Sequence, residues 1–173
     1  STISFVVILE TLSFGEFIEL ENYCDSKNIE FMTTAFDHES LHFIVKDLGV
    51  KRFKIPSGDI TNGPLILEHA KYKLPIILST GMATLSEIET ALGVIAFGLL
   101  GKENPSLPAF AAAYYSDDGQ AALKEYVTVL HCTSQYPAPF NEVNLRCMKT
   151  FKTAFSLPSG YSDHTNGIAI PVA

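Results

Sequence analysis

Basic residues are scarce in this chain: 12 Lys and Arg stand against 19 Asp and Glu, a formal net charge of −7 and a pI of about 5.1. A broad nucleic-acid surface needs clustered Lys and Arg to meet phosphates, so that class of function is excluded and any anionic ligand must be held by a local pocket. Cysteine is sparse as well. Cys24, Cys132 and Cys147 are far apart and form neither a metal-ligand spacing nor a disulfide framework, which points to a reducing cytosol and a cytoplasmic protein. Long apolar runs are also missing. The N-terminal run Ile3 to Leu9 is about half the length a membrane helix needs and carries no basic flank or small-residue cleavage site, so it reads as a strand and no membrane partner is expected. Charged residues make up only 18% of the 173 positions and hydrophobic residues 47%. That balance excludes disorder, a low-complexity linker and a collagen-like fibre, and it supplies the core of one domain or most of one.

What is present is an alternation of short apolar, β-branched runs with amphipathic stretches, the pattern of a parallel α/β sheet. Ser13-Phe14-Gly15-Glu16 and Thr84-Leu85-Ser86-Glu87 fit capping boxes ahead of apolar stripes. Asp37 can cap a helix carrying Leu41, Ile44 and Val45 that ends at Gly49, and Asn141 or a neighbour starts another with Val143, Leu145, Met148 and Phe151 on one face. Between them the strands Phe31–Thr34, Arg52–Ile55, Ile76–Thr80, Val127–Thr133 and Leu157–Ser162 are expected. Each ends in small hydroxyl residues: Thr33-Thr34, Ser57, Ser79-Thr80, Thr133-Ser134 and Ser162. A barrel or a doubly wound sheet would gather such ends on one rim, where ligands bind, although Ser and Thr also precede helices simply as caps. Phe97 to Gln120 reads as an inserted excursion. Within it, Gly101 to Asp118, with Pro105, Pro108 and an Asp-Asp-Gly turn signal, is the one stretch resembling a linker.

Four constellations could carry chemistry. In Lys54-Ile55-Pro56-Ser57-Gly58-Asp59, strand alternation turns Lys54 away from the helix-packed face of Phe53 and Ile55; an inward lysine is costly unless it meets an anion. Ser57 adds a hydroxyl and Asp59 a carboxylate able to exchange a proton. An exposed strand-edge lysine followed by a plain turn is the competing reading. Ser79-Thr80-Gly81-Met82 before the capped helix offers hydroxyls and free helix N-terminal N–H groups for a phosphate, unless Thr84 is only a cap. His131-Cys132-Thr133-Ser134-Gln135-Tyr136-Pro137 is a stiffened polar loop whose His131 reads as a structural histidine. In Gly160-Tyr161-Ser162-Asp163-His164-Thr165, His164 could bind a metal, but one histidine alone does not hold one.

These motifs, together with Phe31-Met-Thr-Thr-Ala-Phe36, Ile77-Leu-Ser-Thr-Gly-Met82 and Val143-Asn-Leu-Arg146, occur in the order found in bacterial-type N-acetylneuraminate (sialic acid) synthases and their neuraminate and legionaminate relatives. The resemblance spans residue 10 to the end. It implies an α/β fold, a (β/α)8 TIM barrel that is incomplete over residues 1–173, with about strands 3 to 7 and their helices. It implies a transferase of sialic acid biosynthesis that condenses phosphoenolpyruvate with N-acetylmannosamine, or a related 2-acetamido sugar, and water to give a nonulosonic acid and phosphate. Carried over by position, Thr34, Lys54, Ser57, Ser79 and Ser162 are expected to bind phosphoenolpyruvate, Ser134 and Tyr136 to meet the sugar, and His164 to be one of two histidines on a divalent metal, usually Mn2+. Asp59, Lys54 and Tyr136 are the expected catalytic residues, Asp59 in proton transfer or water positioning.

Residues Ser1 to Leu9 do not match the family's first strands, and the second metal histidine and a C-terminal antifreeze-like domain are not in this chain, so the expectation is a fragment of a homodimeric parent, active only in it. Two other readings stay open: a Schiff-base aldolase using Lys54, since inward barrel lysines do that chemistry, and a non-catalytic binding piece.

Overall fold

The computed structural model of the chain describes residues 12–172. The expected strand at Ile3 to Leu9 lies outside the described residues. The order of elements is α1 (Phe14–Ser26), α2 (His38–Lys46), β1 (Phe53–Ile55), α3 (Gly63–Lys71), β2 (Ile76–Ser79), α4 (Leu85–Leu99), α5 (Leu107–Tyr115), α6 (Asp117–Tyr126), β3 (Val127–Cys132), α7 (Arg146–Phe155) and β4 (Ser159–Ser162), with short 3-10 turns at Ser57–Asp59 and Phe140–Glu142. The caps act as their chemistry dictates. The Ser13 and Thr84 side chains accept from the N–H groups of Glu16 and Glu87, whose carboxylates return to the N–H groups of Ser13 and Thr84, and Asp37 accepts from Ser40 N–H at 2.7 Å. Helix α2 stops at Lys46, and Gly49 follows in the left-handed conformation at φ 61°.

All four strands are parallel and neighbour one another in chain order, β1-β2-β3-β4. A doubly wound sheet reverses its strand order at a switch point, whereas a β/α barrel adds each strand beside the last, so this sheet is a barrel segment. One face holds Phe53, Ile55, Ile76, Leu78, Val127 and Val129, all buried under the helices. Paired residues of a parallel ladder share a face, so the register Lys54↔Ile77↔Thr128, Ser79↔Leu130↔Gly160 and Cys132↔Ser162 assembles the opposite, interior face. Lys54 therefore lies on that face.

Three expectations are corrected. The segment 31–34 is not a strand: among the described residues it joins no ladder, and the link of Arg52, just before β1, is to the preceding residue, a two-bond ion pair with Glu30 at 2.7 and 3.1 Å. The linker-like stretch is two helices. Ser106 caps α5 through Ala109 N–H, Pro108 sits in its first turn where no N–H is needed, and the Asp-Asp-Gly signal is the first turn of α6 under a Ser116 cap. The helix expected from Asn141 starts at Arg146, because Asn144 takes a left-handed φ of 48° that cannot continue a helix.

The excursion explains why α4 is buried on nearly every side, from Ala91 through Leu99. Helix α3 covers one side and α5 another, so an all-apolar helix finds partners all round. Close approach requires Gly93, where an added Cβ would stand 2.9 Å from the Phe110 carbonyl oxygen. Gly→Ala in an exposed helix stabilises by up to about 1 kcal/mol; Gly93→Ala is expected to do the reverse, costing about 1–3 kcal/mol because α5 backbone must shift. Chemical denaturation of the two proteins measures that sign.

Candidate active site

The C-terminal ends of β1, β2 and β3 bring together groups that are distant in sequence. Ser57, in the turn after β1, accepts a 2.8 Å hydrogen bond from Gly81 N–H after β2, and its hydroxyl stands 3.0 Å from Cys132 Sγ at the end of β3. An added Cβ at Gly81 would overlap Ser134 Oγ and lie 2.9 Å from Cys132 Sγ and 3.0 Å from Ser57 Oγ, so at least one of these side chains would have to move. Ser57, Ser134, Cys132 and Gly81 thus converge on one spot. Ser79 sits on the interior face, 2% exposed, and its Oγ has no partner among the described residues. An orphaned buried hydroxyl costs free energy unless a ligand satisfies it.

Lys54 shares that interior face, and burial pushes its ammonium below the ordinary lysine range, with the nearby Cys132 pulling it back. Among the described residues no carboxylate pairs with it. A partly desolvated cation, an orphan hydroxyl and a pinned serine form an anion-binding face without any basic surface.

The loop after β3 and the end of β4 form the neighbouring wall. Tyr136, 74% exposed, lays its ring 4.3 Å from that of His164 at an interplanar angle of 34°. His164 Nδ1 meets the Thr133 carbonyl at 2.8 Å and so carries the proton, which leaves Nε2 as an acceptor facing the Ser162 hydroxyl at 3.4 Å, a long contact that a cation could replace. That orientation suits His164 to be one ligand of a divalent cation. Among the described residues no group of three His, Cys, Asp or Glu completes a metal site. His131 is structural, as its sequence setting implies: Nε2 meets the Val143 carbonyl at 2.8 Å.

Two expected residues stand apart. Thr34 ends the unpaired 31–34 segment, half-buried, with no side-chain hydrogen bond among the described residues. Asp59 closes the 3-10 turn with its carboxylate accepting from Asn62 Nδ2 at 3.4 Å, and no hydrogen bond links it to Lys54 or Ser57. The helix N-terminus proposed as a phosphate site is a cap: Glu87 takes the N–H and hydroxyl of Thr84 at 2.7 and 2.9 Å, so the anion at that terminus is the chain's own carboxylate. Cys132 and Gly81 were not singled out for a role by sequence. The period-2 pattern of β3, which puts Cys132 two residues past Leu130 on the interior face, was the available signal.

The NeuB family model matches residues 4–173. The chain is 46% identical over 155 residues to an N,N'-diacetyllegionaminic acid synthase of Campylobacter jejuni, covering 90% of this chain and 40% of the relative. With an N,N'-diacetyllegionaminic acid synthase of Legionella pneumophila it shares 43% over 152 residues, 88% of this chain and 37% of the relative. Among solved structures, an N-acetylneuraminic acid (sialic acid) synthetase of Leptospira borgpetersenii in complex with citrate superposes with a TM-score of 0.72 at 34% identity, covering 93% of this chain and 47% of that one. The chain spans less than half the length of each of these relatives. No helix among the described residues is long and apolar enough to cross a membrane.

Proposed function

The chain belongs to the NeuB family, and from that premise we propose that its interior face is the phosphoenolpyruvate-gripping part of a synthase. That synthase joins phosphoenolpyruvate to an open-chain 2-acetamido sugar and gives a nonulosonic acid and phosphate. The observation that carries this reading is the desolvated Lys54 on one face with the Ser79 hydroxyl, neither having a side-chain partner among the described residues. Similarity to the legionaminic acid synthases supports a 2,4-diacetamido sugar as acceptor, with N-acetylmannosamine the alternative.

In the proposed reaction the enol carbon attacks the sugar aldehyde and forms the new C–C bond. Water adds to the oxocarbenium-like centre left at C2, a base removes its proton, and the C–O bond to phosphate breaks. Lys54, Ser57, Ser79 and Ser162 would hold phosphate and carboxylate throughout, so binding energy goes into orientation. Ser134 and Tyr136 would line the sugar side, Thr34 would add a hydroxyl to the phosphoenolpyruvate grip, and Asp59 would take the water proton after moving from Asn62. A divalent cation on His164 Nε2, Mn2+ by the family resemblance, would supply Lewis-acid polarisation of the aldehyde.

The test incubates the whole protein with Mn2+, phosphoenolpyruvate labelled at its bridging oxygen, and in turn N-acetylmannosamine, its 6-phosphate and 2,4-diacetamido sugars. Sugar-dependent phosphate release with the label in phosphate is the expected result. Label retained in the keto acid, or no release with any sugar, sinks the reading.

A second reading has one observation in its favour. A lysine held below its ordinary range is a better nucleophile, as Schiff-base chemistry requires. Borohydride trapping of a pyruvate adduct on Lys54 would establish it, and absence of the adduct alongside phosphate release would eliminate it.

A further inference from the structure

We propose that Cys132 is a positioning residue that orients the Ser57 hydroxyl toward the anionic ligand. The inference rests on the reading of Ser57 as a ligand contact. A serine hydroxyl has one proton to give and two lone pairs to receive with. Gly81 N–H fills one lone pair at 2.8 Å. Cys132 Sγ stands 3.0 Å from the same oxygen, and either atom can be the donor.

The two arrangements differ in what they leave for a ligand. If Ser57 donates to the sulfur, its proton is spent inside the protein and the oxygen turns only a lone pair outward, which repels an anion. If the thiol donates to Ser57, both lone pairs are taken and the single remaining function is an O–H free to point at the ligand. A phosphate or carboxylate oxygen accepts and never donates to this hydroxyl, so it selects the second arrangement. Cys132 is 4% exposed and has no other hydrogen-bond partner among the described residues. Water therefore does not compete for its proton. Independently, the Ser79 hydroxyl, 2% exposed on the same interior face and without a partner among the described residues, gives an anion at this face a second hydroxyl to satisfy.

Calorimetric titration of phosphoenolpyruvate into the whole protein tests the idea with four variants: Ser57→Ala, Cys132→Ala, Cys132→Ser and the Ser57→Ala/Cys132→Ala double. Cys132→Ala should weaken binding about 5- to 10-fold, the worth of one oriented hydrogen bond. Cys132→Ser keeps a donor and should stay within about twofold of the parent. The double variant should bind no more weakly than Ser57→Ala, because the thiol acts through that hydroxyl. Parent-like binding by Cys132→Ala, a serine variant as weak as the alanine one, or additive losses would each overturn the proposal. If Ser57→Ala binds like the parent, the ligand-contact reading falls and the inference with it; if only the cysteine variants do, the reading survives. Should the variants misfold, the infrared S–H stretch of the parent decides: saturating phosphoenolpyruvate should shift one thiol band to lower frequency as that thiol becomes a donor, and unaltered thiol bands overturn the proposal.

Discussion

Replacing Lys54 with Met is expected to weaken phosphoenolpyruvate binding by about 100-fold or more while making the ligand-free protein more stable. The first effect follows from removing one partner of a charge pair formed in a partly dry site, a loss of about 2–5 kcal/mol. The second follows because the ammonium is desolvated and, among the described residues, faces no carboxylate, whereas a methionine of similar length beside its ladder neighbour Ile77 carries no such cost. A gain on the order of 1 kcal/mol raises the melting temperature of a domain this size by about 2–4 °C. Its pH dependence is fixed in sign. The folded-state pKa of Lys54 lies below the ordinary 10.5, so between the two values the unfolded chain binds more protons and the parent gains stability as pH rises. The stability advantage of Lys54→Met should therefore shrink as pH approaches 10.5. Calorimetry for binding and thermal melts across pH check both halves. A variant that loses stability as well as binding would make Lys54 a structural residue.

The second large effect is at Gly81. Gly81→Ala puts a methyl group against Ser57 Oγ, Cys132 Sγ and Ser134 Oγ at once, atoms contributed by two different strand-end loops and a strand. One flexible neighbour could turn away, but Ser57 is held by the Gly81 N–H itself, so moving it breaks that bond. Overpacking of this kind costs about 1–3 kcal/mol. Because the displaced atoms are those proposed to hold phosphoenolpyruvate, binding should fall about 100-fold, beyond what the stability loss alone produces. Fluorescence-monitored unfolding and phosphoenolpyruvate titration separate the two. Full binding at reduced stability would place the ligand away from this cluster.

Much of the architecture could be read locally. The capping boxes at Ser13 and Thr84 and the cap at Asp37 formed as expected because a cap needs only residues three apart. The strands at β1 to β4 were located to within two residues, since β-branched apolar runs between such caps have few other uses. Local signals mislead where they are ambiguous. Pro108 and Asp117-Asp118-Gly119 signal a turn in isolation and a helix start once Ser106 and Ser116 cap them. Phe31–Thr34 has strand composition, yet a strand exists only if a neighbour pairs with it.

The same division runs through the candidate site. Alternation along β1 is a property of the covalent chain, so placing Lys54 opposite Phe53 and Ile55 required no knowledge of the fold, and His131 could likewise be set aside as structural. The meeting of Ser57 with Cys132 joins positions 75 residues apart, and that of Ser57 with Gly81 positions 24 apart. No periodicity links such pairs. They meet because three parallel strands run side by side toward one edge of the sheet, a fact of register and packing. The side-chain types were legible one at a time, but which buried hydroxyls lack a partner among the described residues, what a methyl group at Gly81 would meet and which thiol touches the serine follow from how the strands lie side by side.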